Sequence, residues 1–248
     1  MSAKPLEDRI VLVTGASRGI GYHAAKALAE AGAHVIALAR TQGGLEELDD
    51  EIQAIGGSAT LVPLDLMDYE GIDRLGAAIY ERWGRLDGLL GNAGALGQLA
   101  PVGHIDLKVW DKTFAVNVTA NWRLIRSLDP LLRRSDAGRA VFLTSGAPHK
   151  CRAYWGVYSA SKAAMEAIVR TYADEVRNIT EVRANMLNPG PMRTAMRAQA
   201  MPGEDPNTLP HPSEIAPTIV EMLSPGFDET GKIFDFPSGK LLTPQMPA

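Results

Sequence analysis

Ile10-Val11-Leu12-Val13-Thr14-Gly15-Ala16-Ser17-Arg18-Gly19-Ile20-Gly21 is the stretch whose reading decides the fold. Its first four residues form a short, β-branched apolar run, the pattern of a strand buried on both faces. A glycine-rich turn follows. Ile20, Ala24, Ala27, Leu28 and Ala31 then recur at helical spacing until Gly32 stops the helix, and Val35-Ile36-Ala37-Leu38-Ala39 reads as a second strand. The spacing Gly15-x-x-x-Gly19-x-Gly21 is not the Gly-x-Gly-x-x-Gly dinucleotide fingerprint, but the physics is shared. Glycines let the backbone turn tightly and approach a pyrophosphate, while the helix start offers unpaired N–H groups and a positive dipole.

The alternation continues outward from this unit. Helices are expected over about Gly44 to Ile55 and Tyr69 to Arg82, with strands at Ala59 to Asp65 and Leu86 to Leu90. A long helix reads from about Leu107 to Arg133, with a break near Val118, followed by a strand at Ala140 to Thr144. A further helix runs to about Arg177, then come a strand at Val182 to Leu187, a short helix near Glu214 to Leu223 and a last strand at Lys232 to Phe236. Strands alternating with helices throughout predict an α/β fold: a Rossmann-type, doubly wound parallel sheet of about seven strands with helices on both faces. No linker, repeat or low-complexity tract interrupts it, so one domain over residues 1–248 is expected. Pro202, Pro206, Pro210 and Pro212 interrupt the stretch 192–212, and Met192, Met196 and Met201 give it adaptable apolar contacts. That stretch is expected to act as a substrate lid.

Composition excludes several classes. With 248 residues, 46% hydrophobic, a sizeable core is available, and a formal net charge of −4 argues against a nucleic-acid partner. The single cysteine, Cys151, forms no internal disulfide, and no metal-type cluster of ligands is present in the sequence. Met1 to Arg9 is polar and carries acids, unlike a signal or transit peptide. No apolar run approaches the roughly 18 residues of a membrane span, so a cytoplasmic protein without a membrane partner is expected.

Two further constellations carry chemistry. Tyr158 and Lys162 stand four residues apart in a helical segment, on one face and one turn apart. A free tyrosine titrates near pH ~10, and a nearby ammonium favours the phenolate. Lowering that value to ~7 takes about 4 kcal/mol, within reach of a lysine held close in a water-poor site. The other constellation concerns nucleotide choice. NAD-binding folds usually end the second strand in an acid that grips the ribose hydroxyls, but here the strand ends Ala39-Arg40. Arg40, with Arg18 in the glycine turn, could instead pair with a 2′-phosphate, which favours NADP(H), with NAD(H) as the lesser alternative.

Together these residues resemble the short-chain dehydrogenase/reductase family, nearly end to end. Thr14-Gly15 through Gly21 fits its glycine motif, Asn92-Ala93-Gly94 its Asn-Ala-Gly turn and Pro189-Gly190 with Thr194 the turn that meets the nicotinamide. Ser145, Tyr158 and Lys162 fit its catalytic set at the usual spacing, and Asn117 its helix asparagine. Within the family, Asn188 to Ala198, Ser135-Asp136-Ala137-Gly138 and Arg152 to Tyr158 are similar to the bacterial YciK-type oxidoreductases. Two departures stand out: Gly91 precedes Asn92 where many members carry a second asparagine, and the loop His149-Lys150-Cys151-Arg152 is bulkier and more basic than usual.

The resemblance implies an NADP(H)-dependent oxidoreductase that moves hydride between nicotinamide and a carbonyl or secondary alcohol. In it Tyr158 is general acid or base, Lys162 lowers its pKa and holds the nicotinamide ribose, and Ser145 hydrogen-bonds the substrate oxygen. Asn117 holds a water that links Lys162 to solvent. The implied cofactor set is Gly15, Ser17, Arg18, Gly19, Ile20, Gly21, Arg40, Asp65, Leu66, Asn92, Ala93, Gly94, Tyr158, Lys162, Pro189, Gly190 and Thr194, with Asp65 against adenine. Met192 and Trp155 are candidate pocket walls, with ordinary core packing as the alternative reading. A homodimer or homotetramer is implied; Met165, Ile168 and Val169 fit a buried interface stripe, and core packing explains them equally well. The alternatives are a non-catalytic NADP(H)-binding sensor or scaffold, against which the presence of Ser145, Tyr158 and Lys162 weighs, and a structural partner protein, whose sign would be failure to bind either nucleotide.

Overall fold

The structure, a computed structural model, describes residues 4–244, so Met1 to Ala3 and the last four residues of the expected domain lie outside the described residues. β1 (Ile10–Thr14) is buried along its whole length and pairs in parallel with both β2 (His34–Ala39) and β4 (Gly88–Gly91). Such two-sided burial explains why its sequence is continuously apolar rather than alternating. β3 (Ser58–Pro63) lies outside β2, while β5 (Arg139–Leu143), β6 (Arg183–Asn188) and β7 (Ile233–Asp235) extend the other side. The order is β3-β2-β1-β4-β5-β6-β7, closed by β8 (Lys240–Leu242), in a single sheet. The winding reverses between β1 and β4, the place in such sheets where a crevice opens beyond the strand ends.

The sheet has eight strands where about seven were expected, and it is parallel except for β8, which pairs antiparallel with β7. Gly239 at φ 63° reverses the chain there, and a three-residue strand carries too little periodicity to be read in advance. Elsewhere the boundaries shift by one or two residues, which leaves Asp65 just beyond β3 rather than within it.

Helices cover both faces. α1 (Gly19–Glu30), α2 (Gln42–Ala54) and α9 (Ala216–Leu223) pack one side around Leu28, Leu48 and Ile219. Ala24, Ala25 and Ala29 on α1 are small enough to bring that helix close to the strands. On the other side are α3 (Tyr69–Trp83), α4 (Leu107–Phe114), α5 (Ala120–Leu132) and α7 (Gly156–Val176), with Ile72, Leu124, Leu128 and Phe142 in the core between them. Met165 and Val169 belong to this core and only Ile168 stands partly buried at its edge, so intrachain packing accounts for most of the stripe expected at a subunit interface. No helix among the described residues is long and apolar enough to cross a membrane.

The helix expected from Leu107 to Arg133 is divided. Residues Ala115–Thr119 form a π turn between α4 and α5, around Val118 where a break was expected. A π turn inserts one residue into the helical ladder and is common at functional sites. Asn117 lies within it and is fully buried.

Candidate active site

Nearly every residue singled out in the sequence lies at the C-terminal edge of the sheet. Gly15 follows β1, Arg40 β2, Asp65 and Leu66 β3, Asn92 β4, Ser145 β5 and Pro189-Gly190 β6. A parallel sheet delivers all its strand ends to one edge, and this gathers groups distant in sequence.

At the switch point the first and fourth strands are fastened together. The buried Thr14 hydroxyl donates to Leu90 O (3.2 Å) and accepts from the backbone N–H groups of Asn92 (3.0 Å) and Ala93 (3.1 Å). In return Asn92 Nδ2 donates to Thr14 O (2.7 Å) and Gly15 O (3.3 Å). Gly15 (φ 68°) and Gly19 (φ 59°) need the left-handed region, and at Gly21 a Cβ would lie 2.3 Å from Gly15 O. The missing side chains thus let α1 start directly over the turn. No side chain caps that start and its first turn carries no acid, so its N–H groups are free for an anion.

Ser17 and the exposed Arg18 lie in this turn, and a Cβ at Gly44 would come within 2.8 Å of Ser17 O, so the start of α2 adjoins it. α2 also begins without a side-chain cap or an acid in its first turn. Arg40, just before it, is 61% exposed and stands 3.8 Å from Asp65 Oδ2, so the residues expected to meet a 2′-phosphate and an adenine face one another. Leu66 is buried beneath them. On the opposite side Thr194, which caps α8 (Ala195–Ala200) by accepting from Arg197 N, has its methyl 3.6 Å from where a Gly19 Cβ would stand. The Pro189–Thr194 segment thereby closes over the glycine turn. Gly190 N donates to Asn188 Oδ1 at 3.1 Å, holding the turn after β6.

The second half of the site centres on α7. Asn117 Oδ1 accepts from Ala95 N (2.8 Å), and its Nδ2 donates to Ala95 O (2.8 Å) and Ser161 Oγ (2.9 Å). This amide ties the turn after Asn92 to α7. A Cβ at Gly94 would sit 3.4 Å from Asn117 Oδ1 and 3.7 Å from Lys162 Nζ, so three expected site residues converge there.

Lys162 is buried, donates to Leu143 O at 2.7 Å and lies 5.9 Å from the Tyr158 ring centre. Burial lowers its pKa to about 8, and Glu166 acts in the opposite direction. Tyr158 is pushed up to about 12, chiefly by burial, while the Ser145 hydroxyl facing it acts to lower it. In the protein without cofactor, burial sets the direction of the Tyr158 shift, and the Lys162 ammonium is given to the Leu143 carbonyl.

Around Tyr158 the walls are apolar. Leu96 and Ala200 are buried against it, with Leu99, Ala147, Trp155 and Met196 partly buried alongside, and the Trp155 ring is 6.0 Å away, edge-on. Trp155 thus borders the site as expected. Met192 does not: it is buried in the core near Ile215 and Ile219. The expected lid holds α8 and two short 3-10 turns, at Pro206–Thr208 and Pro212–Ile215, braced by a two-pronged pair between Arg197 and Glu204 at 2.5 Å. Proline interrupts it as anticipated, but it folds back on itself through bonds the sequence does not display. The loop after Ser145 forms a short helix, α6 (Ala147–Lys150), whose His149 turns toward α7. Thr14, Ser161, Thr144 and Glu166 were not among the expected site residues. For Glu166 the signal was its position one helical turn beyond Lys162.

A dinucleotide crevice joined to a Ser-Tyr-Lys set on one parallel sheet defines a nicotinamide-dependent oxidoreductase fold. The family model for short chain dehydrogenase matches residues 9–205, and the chain belongs to that family. It is 42% identical over 241 residues to the oxidoreductase YciK of Escherichia coli (strain K12), covering 95% of this chain and 94% of that protein. Among solved structures, a short chain dehydrogenase of Shigella flexneri 2a str. 301 complexed with NADP is 40% identical with a TM-score of 0.90, over 94% of this chain and 99% of the other. One from Escherichia coli CFT073 complexed with NADPH is 41% identical with a TM-score of 0.88, over 95% and 99% of the two chains.

Proposed function

We propose that this protein is an NADP(H)-dependent oxidoreductase acting on a carbonyl or secondary alcohol, with Tyr158 as its general acid and base. The observation that carries the reading is the convergence of buried Tyr158, Lys162 and Asn117 with Ser145 beside an uncapped helix start. The residues fit the cofactor. α1 and the turn from Gly15 through Ser17 and Ile20 to Gly21 would hold the pyrophosphate. Arg18 and Arg40 would take the 2′-phosphate; Asp65 and Leu66 would meet the adenine. Asn92, Ala93 and Gly94 would line the ribose side, and Pro189, Gly190 and Thr194 the nicotinamide. The relatives bound to NADP and NADPH support the choice of nucleotide.

When bound, the nicotinamide supplies or accepts the hydride. The chain does the rest. Ser145 donates to the substrate oxygen, where negative charge grows as the carbonyl is reduced, and a donor already aimed there favours the transition state over the ground state. Tyr158 gives its proton to that oxygen in reduction and takes one in oxidation. Asn117 has its side-chain amide tied to Ala95 and Ser161, and its backbone carbonyl, which accepts from Asn121 Nδ2 at 2.8 Å, would hold a water beside Lys162. The segment 192–212 acts as the lid, and the apolar walls exclude solvent from the proton transfer. Homodimers or homotetramers in the cytoplasm complete the reading.

The test is NADPH oxidation against ketones, aldehydes, quinones and acyl thioesters, with NADH in parallel. Turnover with NADPH is the expected result; tight binding without turnover of any substrate would favour the sensor alternative. In the same assay Arg40→Ala is expected to raise the Kd for NADPH about ten- to a hundredfold, the loss of one charge-assisted contact. Its Kd for NADH should stay nearly constant. Equal losses for the two nucleotides would detach Arg40 from the 2′-phosphate.

A further inference from the structure

Glu166 is a buried carboxylate on α7, and both its oxygens are used. Oε1 accepts from the Thr144 hydroxyl at the end of β5, and Oε2 lies 3.3 Å from His149 Nε2 on α6. Thr144 immediately precedes Ser145, and His149 follows it by four residues. The carboxylate therefore grips the Ser145 segment on both sides. Its own helix carries Tyr158 and Lys162, with Lys162 one turn earlier on the same face. These are the groups whose relative placement the proposed chemistry depends on, and Glu166 is a side chain that joins the two elements bearing them.

A buried carboxylate is costly unless its oxygens are paired, so fixed partners are needed to hold it there. The charged groups facing Glu166 are few. Among the described residues His149 is the one basic side chain within 4.0 Å, and β5 contributes only a hydroxyl. Lys162 stands farther off but feels the charge, because Glu166 opposes the loss of its proton.

We propose that Glu166 is a positioning residue of this site: it fastens the Ser145 segment to the helix of Tyr158 and Lys162. The proposal rests on the oxidoreductase reading above for its kinetic arm, but not for its structural arm.

The variants are Glu166→Gln, which keeps an acceptor for Thr144 and a donor for His149 without the charge, and Glu166→Leu, which removes both links. In Glu166→Leu, kcat is expected to fall about ten- to a hundredfold with KM nearly constant, as misplacement of one catalytic group can cost that much. Glu166→Gln should recover most of kcat. Its alkaline limb should nevertheless move to lower pH, because without the opposing charge Lys162 loses its proton sooner. Hydrogen exchange of the backbone at 144–151, measured on the free protein, is the arm that needs no activity. Faster exchange there in Glu166→Leu but not in Glu166→Gln is expected. Unchanged exchange in a folded Glu166→Leu would overturn the tether even if the wild type turned over nothing. A loss of kcat in Glu166→Gln as large as in Glu166→Leu would overturn it too, and if Glu166→Leu does not fold, exchange at 144–151 in Glu166→Ala decides the tether.

Discussion

Tyr158→Phe should lower kcat for carbonyl reduction by about 10²- to 10⁴-fold, the usual worth of a positioned general acid, while NADPH affinity changes little. The ring would remain packed against Leu96, Ala200 and Trp155, so the fold has no reason to change; only the hydroxyl and its contact with Ser145 are lost. The pH behaviour follows from the direction of the shifts. Burial pushes Tyr158 up to about 12, so in the free protein it is a protonated phenol across the neutral range. Reduction, which needs that proton, should be nearly flat from neutral pH until Lys162, lowered to about 8, begins to lose its charge. Alcohol oxidation needs the phenolate, whose fraction rises tenfold per pH unit below its pKa, so its rate should climb with pH. Steady-state rates in both directions, for wild type and variant, check this. An oxidation rate that falls from pH 7 to 9 would contradict it.

Ser145→Ala should cost about 10²- to 10³-fold in kcat, the measured order for removing one donor aimed at a developing oxyanion. KM should move little, because the contact strengthens only as charge develops on the substrate oxygen. Ser145 Oγ also accepts from Ala147 N at 3.1 Å, at the start of α6, so the alanine variant frees one N–H and loosens that turn slightly. Ser145→Thr keeps the hydroxyl and should recover most of the rate. If alanine instead raises KM and spares kcat, Ser145 binds substrate without stabilising the transition state. In that case the assignment of the oxyanion donor fails.

The parts of the fold legible in the sequence are those with strong local signals. The run Ile10 to Val13, the three glycines and the helix after them fix the first strand, the turn and the sheet edge to which the other strand ends must come. What lay hidden depended on contacts between distant residues. The break near Val118 was visible, but not that the chain passes it as a π turn, one residue wider than a regular turn. Met165 and Val169 show why an apolar stripe is ambiguous: core and interface ask for the same spacing, and here the core claims them. Met192 carried no signal to separate core from pocket wall, and the fold buries it. The pairing of Tyr158 with Lys162 was legible as spacing, but not the carbonyl of Leu143 that accepts the lysine's hydrogen bond, nor the depth of burial that raises the phenol. Helical spacing sets which side chains are neighbours; charge balance is set by whatever else is packed around them.

The most direct measurement is transfer of label. The protein is incubated with NADPH deuterated at C4 of the nicotinamide and with the carbonyl panel, and the products are analysed by mass spectrometry. The account predicts deuterium on the carbinol carbon of at least one product with wild type, and label reduced by at least about a hundredfold with Tyr158→Phe. Tight NADPH binding with no label on any product, or equal labelling by wild type and Tyr158→Phe, would contradict it.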